Sequence, residues 1–356
     1  MTEEAKKIKS SEGWLAYGDW VRVIGTWAVV LTHCIDFILG NQTIYDNNKT
    51  DWWLANFIDA ATRWAVPVYI MLSGAILLAP NRNEAPTTFY RKRLSRVGLP
   101  LLIWVPFFVW FALKVTKWNN ADQLLNQILF GEPYGHLHFV VRILGLYAIT
   151  PMLRVFTGNA TRSMLFWTVV LTLGIGTLNS IIDAFTGMRS SAAIRFVPFI
   201  GYYLAGFYLR DVKLNAKERI LTIFTFFVSI ALIAIVTGML VPKYGLKWYP
   251  SISFICYDFL SIPRISLGIS AWLLLTDFCR NFKKPSWLSG LAAATFGIYI
   301  IHPFFRDLGV LNKVWDPDKE YLRFPLFFLF YLGVYLASMV TVLIVIRLPY
   351  LKRIVS

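Results

Sequence analysis

The amino-acid sequence predicts an all-α, polytopic membrane helix bundle with about ten transmembrane helices. Hydrophobic residues make up 57% of the 356-residue chain and charged residues only 15%. A soluble protein of that composition would expose far too much apolar surface. The apolar residues fall in continuous runs of roughly 20, the length at which an α-helix crosses a bilayer, and they do not alternate as the strands of a membrane barrel would.

The apolar runs define ten predicted spans, which are separated by short connections. The spans are residues 20–40, 55–79, 97–114, 136–154, 162–182, 194–210, 218–240, 251–276, 288–306 and 324–347. We expect a single integral-membrane domain over 1–356, in which residues 1–13 form a polar cytoplasmic leader. The first apolar run has the length of a span and not of a signal-peptide core, so no cleavable signal is expected.

Alternate connections are rich in lysine and arginine, and this predicts the orientation of the bundle. The basic residues are Lys6, Lys7, Lys9, Arg82, Arg91, Lys92, Arg93, Arg96, Arg154, Arg162, Arg210, Lys213, Lys217, Arg219, Arg280, Lys283, Lys284, Arg347, Lys352 and Arg353. By the positive-inside rule both termini are cytoplasmic, in a multi-pass protein of the inner (cytoplasmic) cell membrane. The net charge of +15 then reflects topology and does not indicate a nucleic-acid partner. Aromatic belts are expected at the other interface, at Trp52–Trp53, Trp118, Trp248–Tyr249 and Trp315.

The first predicted span contains two ionisable residues, Arg22 and His33, in the run RVIGTWAVVLTH. Such groups are costly inside a membrane and therefore point to function. Eleven residues of helix make three turns plus roughly 20°, so both side chains share one face, about 17 Å apart along the axis. An imidazole suits proton transfer or nucleophile activation, although a lone histidine can also be a packing residue. Asp36, one turn later, has two interpretations: it orients His33, or it simply lies at the level of the lipid headgroups.

Arg93 and Arg96 lie three residues apart in the run FYRKRLSRVGLP, at the start of the third predicted span. Residues at this spacing share a helix face. One interpretation is anchoring at the cytoplasmic surface by the positive-inside rule. The other is an anion clamp, because guanidinium groups bind phosphate bidentately. The two interpretations are compatible.

A second set of polar residues falls in the outer halves of the predicted spans. It consists of Asp59, Arg63, His136, His138, Arg142, Asp258, Arg264, Tyr299 and His302. Asp59 and Arg63 are four residues apart, which predicts a mutual ion pair. Several other members are expected to be structural, and together the set is suited to a hydrophilic pocket for a hydroxyl-rich acceptor.

Other functional classes find little support in the sequence. The His-x-His pair at 136 and 138 has no cysteine or glutamate cluster to complete a metal shell, so no metal site is expected. Phosphate-loop, dinucleotide-binding and serine-hydrolase signatures are absent from the sequence. The remaining alternatives to an enzyme are a transporter or exporter of a polysaccharide or small polar substrate, which would use the same intramembrane charges, and a membrane assembly subunit.

Several runs resemble the acyltransferase 3 family of integral-membrane acyltransferases, in the expected order along the chain. The runs are YGDWVRVIGTWAVVLTH with its Arg-x10-His pattern, VPVYIMLSGAILL, FYRKRLSRVGLP, HLHFVVRILGLYAITPMLR, FVPFIGYYLAGFYL and TFGIYIIHPF. The resemblance covers nearly all of residues 14–350. The chain departs from it at His138-Phe139, where many members have Trp-Phe, and it carries no fused esterase-like domain.

The resemblance implies transfer of an acyl group, usually acetyl from acetyl-CoA, to a hydroxyl of a cell-surface or lipid-linked carbohydrate. It implies that His33 is the catalytic histidine and that Arg22, Arg93 and Arg96 engage the donor. The expected partners are acyl-CoA, the carbohydrate or glycolipid acceptor and the lipid bilayer, with no permanently bound cofactor. His33 would act as a general base on the acceptor hydroxyl or would carry the acyl group itself.

Overall fold

The computed structural model describes residues 3–79, 84–117, 121–188, 191–247, 251–317 and 323–355, with side chains from Tyr17 onward, and within these ranges it contains helices and no strand. The α-helices are α1 Glu3–Leu39, α2 Gln42–Asn47, α3 Lys49–Thr62, α4 Ala65–Leu77, α5 Pro86–Arg93, α6 Leu99–Phe111, α7 Ala121–Leu129, α8 His138–Asn159, α9 Arg162–Thr186, α10 Ile200–Leu209, α11 Ala216–Tyr244, α12 Ile262–Cys279, α13 Ser286–Leu311 and α14 Arg323–Arg347. The leader side chains and Arg82, Trp118, Trp248 and Tyr249 lie outside this description.

Nine helical segments of the described chain are long and apolar enough to cross a membrane. They are Tyr17–Leu39, Lys49–Leu77, Pro86–Thr116, Gly135–Asn159, Arg162–Thr186, Ala216–Tyr244, Ile255–Cys279, Ser286–Leu311 and Phe324–Arg347. The all-α membrane bundle predicted from the sequence is confirmed. The remaining predicted span, 194–210, is a shorter apolar helix, Val197–Leu209.

The short span is tolerated because other helices surround it. Its 13 residues cover roughly 20 Å, less than the hydrocarbon thickness of about 30 Å. Tyr202, Tyr203 and Leu204 are fully buried, so the backbone around this helix meets protein and not lipid. Irregular backbone at membrane depth requires such shielding.

Proline interrupts the second span at a defined point. Pro67 has no N–H and cannot donate to the carbonyl of Arg63 four residues earlier, so α3 ends and α4 begins there. The freed Arg63 carbonyl accepts a hydrogen bond of 3.3 Å from Arg264 Nε on α12. The break in one helix is therefore satisfied by a charged side chain from another.

The bundle has two chemically different ends. We call one end the basic end, because it carries Arg22, Arg93, Arg96 and Arg154. Helices α1 and α5 begin at this end, and α8 finishes there. At this end Glu84 accepts a hydrogen bond of 2.6 Å from Lys92, which lowers the pKa of the Glu84 carboxyl.

We call the opposite end the histidine end. It contains His33 near the C-terminus of α1, His302 in the later turns of α13 and His136 before α8. The aromatic residues expected to form belts here are partly inside the protein instead. Trp52 and Trp315 are only 1% and 2% exposed, and Trp52 Nε1 donates to the Leu39 carbonyl at 3.0 Å. The prediction of an interfacial role is therefore wrong for these two, because neighbouring helices cover their rings.

Helices α4 and α10 approach each other through a reciprocal pair of glycines. A Cβ on Gly74 would lie 1.8 Å from the Tyr203 carbonyl oxygen, and one on Gly206 would lie 1.9 Å from the Met71 carbonyl oxygen. Small residues at helix contacts allow this backbone approach in membrane proteins. The α4–α10 contact brings Tyr203 and the first spans into the same core.

We expect Gly74→Ala to lower the free energy of unfolding by about 1–3 kcal/mol, because the added methyl group meets backbone atoms that cannot give way. Gly174→Ala in α9 is the matched control, since a Cβ there meets nothing within 4 Å. Unfolding in mixed detergent micelles measures both. Equal stability of the two variants would contradict the close approach of α4 and α10.

Candidate active site

A cavity of about 180 Å³, which we call the main cavity, opens between α1, α4, α8 and α13. Its polar lining consists of Arg22, Tyr69, Ser73, Tyr147, Thr295 and Tyr299. The rest of its lining is apolar and consists of Leu72, Ile76, Val97, Phe139, Val140, Ile143 and Phe296. A mostly apolar cavity with a few convergent polar groups is the usual form of a small-molecule site.

Arg22 is fixed in the wall of this cavity at the basic end. Its Nη1 pairs with Asp19 Oδ1 at 2.8 Å, and about a third of its side chain, 34%, stays exposed. Asp19 also accepts Lys284 Nζ at 3.2 Å. The Arg22 carbonyl accepts hydrogen bonds from Thr26 and Tyr69, of 2.8 and 2.6 Å. Asp19 thus orients the Arg22 side chain, but it is shared with Lys284, so it does not form an exclusive pair that would neutralise Arg22.

Arg93 and Arg96 reach the same region from the third span. The Arg93 guanidinium lies 5.8 Å from the centre of the Tyr147 ring, and its Nε is buried with no hydrogen-bond partner within the described ranges. Arg96 is exposed on a π-helical turn, Leu94–Gly98. Of the three arginines singled out in the sequence, Arg22 lines the cavity together with Tyr147, and Arg93 lies against the Tyr147 ring just outside the lining.

His33 begins a chain of alternating charges at the histidine end. Its Nδ1 lies 3.7 Å from Asp36 Oδ2. Asp36 Oδ1 accepts Arg63 Nη2 at 2.7 Å, and Arg63 Nη2 also donates to Asp59 at 2.5 Å. The structure thus contains the Asp59–Arg63 pair expected from the spacing and extends it through Asp36 to the imidazole. Asp59 is fully buried, so Arg63 compensates a charge that has no water to solvate it.

Three of the four histidines form a cluster. The His33 and His302 rings are stacked with centroids 5.3 Å apart, and the His302 and His136 centroids are 5.6 Å apart. His302 Nδ1 faces the Tyr299 carbonyl at 2.7 Å and His136 Nε2 faces the Ile300 carbonyl at 3.0 Å. Carbonyls only accept, so these two nitrogens carry hydrogen in the neutral rings.

The other ring nitrogens of this cluster, His302 Nε2 and His136 Nδ1, are then acceptors. Both are buried and have no hydrogen-bond partner among the described residues. Across the part of the chain that the structure describes, no group of three or more histidine, cysteine or acidic side chains is arranged to hold a metal ion. The two ring nitrogens can each accept a hydrogen bond or a proton.

Sequence reasoning missed a buried charge pair beside His33. Arg306 Nη1 donates to the His33 carbonyl at 3.2 Å, and its Nε pairs with Asp307 at 2.5 Å. Tyr134 donates a hydrogen bond to the same carboxylate. Asp307 is fully buried. A signal was present, because Arg306 follows His302 by four residues and so shares its helix face.

The remaining predicted residues divide between structure and a second cavity. His138 Nδ1 lies 2.6 Å from the Gly135 carbonyl. Arg264 donates to the Arg63 carbonyl, and its guanidinium lies 3.8 Å from the centre of the Phe259 ring. Both side chains therefore have structural contacts with the backbone or the core. Arg142 and Asp258 line a smaller cavity of about 40 Å³ at the histidine end. The predicted residues therefore do not form the single hydrophilic pocket that was expected for the whole set.

Tyr299 connects the two regions. It lines the main cavity, its hydroxyl donates to the His136 carbonyl, and its ring centroid is 6.0 Å from that of His302. His33 does not line the main cavity among the described residues but stacks on His302 behind this tyrosine. One layer of side chains separates the cavity from the catalytic candidate.

Comparison with known proteins gives one match. A family model described as acyltransferase domain matches residues 15–346, nearly the whole chain. No curated protein and no solved structure matches significantly. The matched range includes every residue of the cavity, the histidine cluster and the charge chain.

We expect Arg63→Gln to cost about 3–5 kcal/mol of stability, because it leaves the fully buried Asp59 carboxylate without its compensating charge. Arg219→Gln is the matched control. It removes a 2.8 Å ion pair with Asp277 whose arginine is 51% exposed, and such pairs contribute about 0–1 kcal/mol. Detergent unfolding curves of both variants provide the measurement, and similar losses would mean that Asp59 is not stabilised by Arg63.

Proposed function

The chain belongs to the acyltransferase family that its sequence matches, and we propose that it moves an acetyl group from cytoplasmic acetyl-CoA to a hydroxyl of a cell-surface or lipid-linked carbohydrate. The observation that carries this proposal is the arrangement of one cavity between two kinds of group. Arg22 lines its basic end, Arg93 lies against its Tyr147 with the exposed Arg96 three residues on, and a histidine 3.7 Å from a carboxylate lies behind its far wall. Acetyl-CoA requires this order of groups, because it has an anionic nucleotide at one end and a reactive thioester at the other.

The arginines fit the donor by charge and by position. Coenzyme A carries phosphates, which guanidinium groups bind through charge-assisted hydrogen bonds. Arg96 is exposed, and Arg93 has an Nε without a hydrogen-bond partner among the described residues, so both retain capacity for an anion. A volume of about 180 Å³ is below that of most drug-sized sites. We therefore assign the narrow acyl-bearing arm of the donor to the cavity and its nucleotide to the arginines outside.

His33 supplies the chemistry at the far end. As a general base it takes the proton of the acceptor hydroxyl while the hydroxyl oxygen attacks the thioester carbon. The carbon–sulfur bond then breaks, and the thiolate leaves and receives a proton. As a carrier its nitrogen attacks the thioester carbon first, the carbon–sulfur bond breaks, and the thiolate leaves with a proton. The acceptor hydroxyl oxygen then attacks the acyl carbon, the carbon–nitrogen bond breaks, and the released imidazole takes the hydroxyl proton. In both routes the Asp36 carboxylate, 3.7 Å away, stabilises positive charge on the ring.

The predicted membrane orientation gives the reaction a direction. It puts the basic end at the cytoplasm and the histidine end outside. An acyl group entering from acetyl-CoA then crosses at Tyr299 and His302, whose ring centroids are 6.0 Å apart. The acceptor approaches from the outside and meets His33, of whose side chain 15% is exposed.

We expect His33→Ala to abolish CoA-thiol release from acetyl-CoA, with a loss of at least 100-fold, because general base or nucleophilic catalysis is removed. Purified protein in vesicles, with acetyl-CoA supplied at the basic end and a glycan-lipid extract on the other side, provides the assay. Gel filtration and detergent unfolding confirm that the variant folds. Full release by a folded His33→Ala protein would overturn the role of His33. No release by the unaltered protein with any acyl-CoA or extract would favour transport instead.

We expect Arg93→Gln and Arg96→Gln to raise KM for acetyl-CoA by about 10- to 100-fold, the effect of losing a hydrogen bond to a charged group. Arg91→Gln is the matched control, because Arg91 is an exposed residue of α5, the helix that ends at Arg93, and has no ring contact with Tyr147 among the described residues. Initial rates over a range of acetyl-CoA concentrations separate KM from kcat. An equal effect of all three substitutions would indicate a nonspecific surface charge and not a donor clamp.

A further inference from the structure

The second cavity lies where four elements meet at the histidine end. Arg142 stands in the second turn of α8, Ser180 in the last two turns of α9, and Asp258 and Phe259 just before α12, and the turn that precedes α10 closes the cavity. Its volume is about 40 Å³. Because a cavity needs about 10–15 Å³ on this measure to hold one water, the space accepts a few hydroxyl groups and not a whole sugar ring.

Two polar groups in this cavity have unused hydrogen-bonding capacity. Arg142 is 5% exposed, and its Nε and Nη1 are buried with no hydrogen-bond partner among the described residues. Ser180 is 2% exposed, and its hydroxyl is likewise without one within those ranges. Buried donors of this kind cost about 1–3 kcal/mol each when they stay unsatisfied. Both line the same small space.

The charges around the cavity select the kind of ligand. Arg195 is already engaged, with Glu132 at 2.8 Å and the Phe130 carbonyl at 2.6 Å. Asp183 and Asp258 also line the cavity, so an entering carboxylate or phosphate meets two carboxylates. Asp258 Oδ1 accepts the Leu260 N–H at 2.9 Å, while its other oxygen is left for a ligand. A neutral ligand that both accepts and donates hydrogen bonds fits this mixture.

The aromatic surroundings fit the same ligand. The Arg142 guanidinium lies over the rings of Phe199 and Phe259, at 4.9 and 5.0 Å from their centres. Both rings form part of the cavity wall. Their edges give the cavity an apolar rim beside the polar groups, which suits the carbon–hydrogen groups of a sugar. The guanidinium is held in place and loses little entropy when a ligand binds.

We propose that this cavity binds adjacent hydroxyl groups of a neutral sugar, with Arg142 and Ser180 donating to the hydroxyl oxygens and Asp258 accepting their hydrogens. This inference rests on the proposed function, for which it supplies the acceptor class and its anchoring site. The sugar ring remains at the mouth. Arg142 lies on α8 between Phe139 and Ile143, which both line the main cavity, so the anchored sugar is held beside the helix that forms one wall of that cavity.

The first test is binding without catalysis. Purified protein in nanodiscs is examined by saturation-transfer NMR with methyl glucoside, its 3-deoxy analogue and methyl glucuronide. Neutral methyl glycosides of other configurations complete the panel, so that the stereochemistry of the hydroxyl pair is sampled. We expect at least one neutral glycoside to bind, and its deoxy and uronate analogues to bind at least tenfold more weakly. Stronger binding of the glucuronide than of every neutral sugar, or no binding by any of them, would overturn the proposal.

The second test uses conservative variants. Ser180→Ala and Asp258→Asn are expected to reduce sugar binding about tenfold and to raise KM for the acceptor with little change in kcat. Ser229→Ala is the matched control, because Ser229 is equally buried, at 2% exposure, but bonds to the Thr225 carbonyl of its own helix. Equal binding and equal KM in the Ser180 and Ser229 variants would reject the site.

The outcomes also separate this inference from the proposed function. Sugar binding that depends on Ser180 and Asp258, in a protein that releases no CoA thiol, would retain the sugar site and reject acyl transfer. Thiol release that requires His33 but is indifferent to both variants would retain acyl transfer and place the acceptor elsewhere.

Discussion

The positions of the helices around His33 depend on the free-energy cost of placing ionised side chains in a membrane interior. Asp59 and Asp307 are fully buried, and each is compensated by one arginine, at 2.5 Å in both cases. These two pairs lie on either side of His33. Arg63 reaches it through Asp36, and Arg306 donates to its carbonyl at 3.2 Å. Each pair forms within one helix and avoids the several kcal/mol that an unpaired buried charge costs. The second contact of each arginine, to Asp36 or to the His33 carbonyl, joins that helix to α1 and so fixes the position of the imidazole.

The backbone is adapted to this pairing. Pro67 ends α3 at Arg63, and the freed carbonyl is taken by Arg264 of α12. Arg63 thus uses its side chain toward α1 while its carbonyl is held by α12. The reciprocal approach of α4 and α10 at Gly74 and Gly206 completes the same core from the other side. A charged network and a small-residue contact act together, because neither hydrophobic association nor water is available to order helices within lipid.

The sequence predicted the parts of this arrangement that depend on local pattern. Run length gave the helices, and residue spacing gave the Asp59–Arg63 pair. The meeting of His33 with His302 and His136 was not predictable, because the three lie far apart in the chain and periodicity says nothing about which helices become neighbours. The expected aromatic belt at Trp52 and Trp315 was wrong for a related reason. Composition indicates depth in the membrane, but only tertiary packing decides whether a ring faces lipid or protein.

The division into two cavities follows from what an acyl transfer across a membrane would demand. A donor with phosphates and an acceptor with hydroxyl groups require different electrostatic environments. The donor site needs a surplus of cations, and the acceptor site needs balanced charge. The protein has arginines beside Tyr147 at one end and a mixture of arginine and aspartate around Arg142 at the other. A single continuous channel would admit water and ions along the same path. Instead, Tyr299 and His302 lie between the cavity and His33, so under the proposed function the acyl group would reach the imidazole through this side-chain layer.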